Sequence, residues 1–88
     1  MMMEALKAYS KALGEVLRTF DPNKMRQFID ENRDLYQKGM ADAMLSQDDT
    51  FIRGMMAKMV MNRTDMSLND RNKAKAILNE MGWDESIL

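Results

Sequence analysis

Apolar side chains at Met2, Leu6, Tyr9, Leu13, Val16 and Phe20 recur at intervals of 4, 3, 4, 3 and 4 residues, which draws one seam along an α-helix. A first helix is therefore predicted over residues 2–19. Ala5, Ala8 and Ala12 favour it by propensity, while Gly14, which costs about 1 kcal/mol relative to alanine, marks a candidate close approach. Such a seam ordinarily faces the core of its own domain. Its other use is self-association, for which Leu6, Tyr9, Leu13 and Val16 are the candidate residues.

Asp21-Pro22 announces a second helix with almost no linker. Asp21 is a suitable cap, Pro22 suits the first helical position, and Phe20 is placed to staple onto Met25. From Met25 onward, Phe28, Ile29, Leu35, Tyr36, Met40, Ala43 and Met44 fall within roughly half the circumference at about 100° per residue, so the second helix is predicted over 22–44. Asn32 interrupts this apolar face. An amide there bonds to a neighbouring backbone group or sets the register of an oligomer.

Ser46 and Asp49 have capping-box spacing and open a third helix over 47–62; Ser67 and Asp70 repeat the spacing and open a fourth over 68–81. Gly82 is placed to end it in the left-handed conformation, with Trp83 folding back onto Leu78. Residues 84–88 are a short tail whose Ile87 and Leu88 would close over the core or stay free. With no strand pattern, repeat or long linker, the expected class is all-α, a compact four-helix arrangement in a single domain spanning 1–88.

The third helix departs from ordinary amphipathic patterning. In FIRGMMAKMVMNR, Phe51, Ile52, Met55, Met56, Met59 and Val60 share an arc about 180° wide, broader than the roughly 100° stripe of a surface helix. Met61 lies outside it. A central helix covered on two sides would use methionine to fill irregular gaps. Alternatively Phe51, Met55, Met56, Met59 and Met61 form an adaptable surface for a partner protein.

Composition narrows the function. The chain has no cysteine, which excludes disulfides and thiol chemistry and suits a reducing, cytoplasmic setting. It has no histidine, which removes the commonest general base and transition-metal ligand. Catalysis is not expected, nor is a cofactor. Acidic clusters at Asp30-Glu31 and Asp48-Asp49 are interleaved with Arg26, Arg33 and Lys38 at ion-pair spacing and lack a calcium-loop pattern, so no metal site is expected. The net charge of −1 gives no global attraction to nucleic acid or an anionic membrane. Neither a signal peptide nor an apolar run of about 20 residues is evident.

Local charge leaves one alternative. Arg63, Arg71, Lys73 and Lys75 belong to a basic stretch around the junction of the third and fourth helices, the outline of a helix-turn-helix binding nucleic acid. Acidic flanks and a long turn weigh against it. The favoured expectation is a non-catalytic module that binds another protein, regulates or inhibits a larger enzyme as phage and mobile-element proteins do, and forms a homo-oligomer, a dimer first among them.

Overall fold

The computed structural model describes residues 2–83, the side chain of Met2 excepted. Its helices are α1 (Met2–Leu17), α2 (Pro22–Glu31), α3 (Met40–Leu45), α4 (Asp49–Asn62) and α5 (Leu68–Met81), with a 3₁₀ turn at Arg33–Leu35 between α2 and α3. The all-α class is as expected. Ile87 and Leu88 lie outside the described residues.

The corner after α1 is built by local bonds. Thr19 Oγ1 donates to the Val16 carbonyl at 2.6 Å, and Phe20 takes φ 50°, a left-handed conformation costing a side-chain-bearing residue about 1–2 kcal/mol. Burial of the Phe20 ring in the core offsets that cost. Asp21 then caps α2 by accepting from the Asn23 amide at 2.9 Å, with Pro22 at the first helical position.

The predicted second helix, 22–44, is two helices. Asn32 ends α2: its Nδ2 donates to the Phe28 carbonyl at 2.8 Å and its backbone amide reaches Phe28 and Ile29. The apolar-face amide thus satisfies itself on its own backbone. Tyr36 is extended, Gly39 turns through φ 86°, and only then does α3 begin. Leu35 and Met40, which continued the periodicity in sequence, stand exposed. The Ser46 cap also requires correction. Ser46 closes α3 by donating to the Ala43 carbonyl at 2.8 Å, and Asp48 caps α4 by accepting from the Phe51 amide at 2.8 Å. Asp48 wins because Ser46 is still needed by the preceding helix.

Ser67 caps α5 as expected, accepting from the Asp70 amide at 3.1 Å and donating to its carboxylate at 2.9 Å. At the other end Gly82 takes φ 70°, and the Trp83 and Gly82 amides return to the Leu78 and Asn79 carbonyls at 3.0 and 3.1 Å, a Schellman ending.

α4 is the axis of the molecule. It packs most extensively on α5 and also meets α1 and α2. Ile52, Met56, Ala57 and Val60 are buried with Leu17, Ile29, Ala74 and Leu78 in one cluster, onto which Met59 and Met61 also pack. Coverage from several directions explains the width of the apolar arc. Lys58, 2% exposed, lies within this helix.

Gly14 and Gly54 mark the closest approaches. A Cβ on Gly14 would meet the Arg63 guanidinium at 3.0 Å; one on Gly54 would meet Met81 Cε at 2.5 Å and the Trp83 ring at 2.8 Å. Gly54→Ala should therefore lower stability by about 1–2 kcal/mol despite alanine's better helix propensity, because the indole cannot yield as a methionine tip does. Urea unfolding checks this; an unchanged or raised midpoint would show that Trp83 moves freely.

Candidate interaction surfaces

The five candidate partner-binding residues of α4 are divided between interior and surface. Met56 is wholly buried, so it shapes the arc from within and presents nothing to a partner. Met59 and Met61 are half-buried against the core, Met55 is half-buried, and Phe51 is 39% exposed. What reaches the surface is the first two turns of α4. There the Phe51 ring meets the Trp83 ring edge-on at 5.7 Å, with the interplanar angle at 63°. Gly54 lies directly beneath the indole. Trp83 was legible in sequence only as a helix-ending contact. Nothing in the spacing of Phe51 and Trp83 signalled that a left-handed Gly82 would turn the indole back onto α4.

The α1 seam is divided lengthwise. Leu13 and Val16 pack against the core. Tyr9 tilts against Phe28 with centroids 5.3 Å apart, and its hydroxyl lies 3.2 Å from that of Tyr36. Burial, and secondarily that hydrogen bond, raises the Tyr36 pKa above its ordinary value. Leu6 has no such cover. It is 64% exposed, and residues 3–8 are exposed throughout. Of the four self-association candidates, Leu6 alone is freely presented.

The four basic candidates differ in their engagement. The α4 carbonyl end leaves acceptors without intrahelical donors. Arg71, from the first turn of α5, donates to the Met61 carbonyl at 3.1 Å and to that of Arg63. Its charge also offsets the negative end of the helix dipole. Arg63 holds Asp65 through both carboxylate oxygens, at 2.9 and 2.8 Å, and donates to the Ser10 carbonyl at 2.9 Å. Both arginines thus organise the turn between α4 and α5. Lys73 and Lys75 remain exposed on α5.

Among the described residues, no group of three or more acidic, histidine or cysteine side chains is placed to hold a metal, and no helix is long and apolar enough to cross a membrane. No family model matches the sequence, and comparison with curated proteins and solved structures yields no match.

The hydrogen bond from Arg63 holds the Asp65 carboxyl below its ordinary pKa. Since folding lowers this pKa, the stabilisation is present above the unfolded value of about 3.9 and is lost as pH falls through the folded value. Asp65→Asn should lower stability at neutral pH and reduce its loss on acidification below about pH 4. Thermal unfolding across pH 2–7 provides the measurement; an acid limb identical to wild type would remove Asp65 from this role.

Proposed function

We propose that the protein is a non-catalytic, cytoplasmic interaction module that docks on a larger protein or enzyme and regulates or inhibits it, in the manner of small phage or mobile-element proteins. The observation that supports this most directly is the Phe51–Trp83 pair. Two aromatic rings, one 39% exposed, meet where α4 begins and α5 ends, and half-buried Met55 follows Phe51 by about one turn of α4. Aromatic anchors beside an adaptable thioether are suited to binding an apolar side chain of a partner. Met59 and Met61, further along α4, pack against the core, and Met56 contributes only packing.

Homo-oligomerisation, as a dimer, belongs to the same proposal and uses the open start of α1. Leu6, on the seam, is 64% exposed, neighbouring Met3 is 68% exposed, and the seam is already packed from Leu13 onward. Nucleic-acid binding is less well supported, since Arg63 and Arg71 are engaged by Asp65 and by backbone carbonyls. The inventory of side chains favours no enzymatic reaction, because histidine and cysteine are absent.

Capture of a partner by the immobilised protein should fall at least about tenfold for Phe51→Ser/Met55→Ser, while Leu68→Ser, altering a 72% exposed leucine, should bind as wild type. Equal capture by all three would sink the docking surface. For self-association, light scattering should give a dimeric mass for wild type and a monomeric one for Leu6→Glu; a monomeric wild type would refute pairing.

A further inference from the structure

The arginines are almost all occupied. Arg26 bonds Asp49 at 2.6 Å, Arg33 bonds Asp42 at 2.6 Å, and Arg18 contacts Asp70 at 3.4 Å. Arg63 and Arg71 organise the turn after α4. Among the described residues, Arg53 on α4 is the arginine with no such ion pair or hydrogen bond. It nevertheless faces a formed hollow. A cavity of about 340 Å³ is lined by Arg18 from the end of α1, Arg53 from α4, and Lys73, Ile77 and Glu80 from α5. Three cations from three parts of the chain thus border one hollow with Glu80, alongside the buried Ile77 and Phe20.

Arg53, Ile77 and Glu80 also belong to a second, adjoining hollow of about 320 Å³, whose wall continues along Pro22, Asp49, Thr50 and Met81. The combined shape is a cationic end joined to a partly apolar one.

We infer that this double hollow is a binding site for a phosphate monoester, with the phosphoryl group held by Arg53, Lys73 and Arg18 and the organic portion lying along Ile77 towards Pro22 and Met81. A guanidinium presents a planar fork of donors to an oxyanion, and an ammonium adds a point charge. A tetrahedral phosphoryl group can accept from donors on three walls at once. Glu80, and Asp49 in the adjoining hollow, oppose the anion and set a limit on charge that favours one compact monoester over the repeated charges of a nucleic-acid backbone. This site is separate from the Phe51–Trp83 patch, and its failure would leave that proposal intact.

The test uses the full chain and amide and arginine Nε–Hε NMR spectra. Inorganic phosphate is titrated against chloride at matched ionic strength, followed by glycerol phosphate, a phosphoserine peptide and a short DNA duplex. Phosphate should produce saturable shifts at Arg53 Nε–Hε and at the Ala76 and Ile77 amides that chloride does not. Arg53→Gln should weaken the affinity at least about tenfold, and Glu80→Gln should strengthen it about threefold by removing like-charge repulsion. Arg53 and Glu80 are both exposed, so neither change disturbs the core. Tighter binding of the glycerol ester identifies a small-molecule source, and tighter binding of the peptide a phosphorylated protein. Shifts that follow ionic strength alone, an unaffected Arg53→Gln variant, or DNA binding that outcompetes the monoesters would each overturn the assignment.

Discussion

α1, α2 and α5 are arranged to cover α4, a helix without a continuous polar side. Ile52, Met56, Ala57 and Val60 are buried on it, and it meets α1, α2 and α5. Burial of apolar surface at about 25 cal/mol per Å² favours this enclosure, but only if the covering helices follow an uneven contour. Methionine makes that possible. Its unbranched, flexible side chain fills spaces that β-branched residues would leave void. Cover ends at Phe51, where aromatic surface emerges into solvent.

Legibility in the sequence followed the strength of the local signals. The α1 seam, the Asp21 and Ser67 caps and the Gly82 ending each combine a residue type with a conformation that few others adopt, and all are present. Helix 22–44 was misread because Leu35, Tyr36 and Met40 maintain an apolar period through a segment where Asn32 and Gly39 break the backbone. Periodicity describes where side chains would point if the helix continued; it carries no information on whether the hydrogen bonds do. The candidate site was less legible for a related reason. Burial of Met56 and exposure of Phe51 depend on which helices lie beside α4, a tertiary fact that no projection of α4 alone contains.

Charge is similarly divided by tertiary placement. Arg63 and Arg71 look alike in composition to Arg53, yet the first two serve as ligands for backbone carbonyls and acids around one turn. Their value lies in geometry. A lysine in either place would keep the charge and lose the fork that reaches several acceptors together. Arg53 is left outside such duties, whereas Arg18, which lines the same hollow, also contacts Asp70 at 3.4 Å.

The bond from Arg63 to the Ser10 carbonyl joins residues 53 positions apart. The α4–α5 hairpin can form from neighbouring segments, but this contact requires closure of most of the chain. Arrival of α1 is thereby coupled to the correct shape of a distant turn. Opening of the amino-terminal helix should propagate to the α4–α5 turn, making hydrogen exchange at Asn62–Asp65 sensitive to events at Ser10.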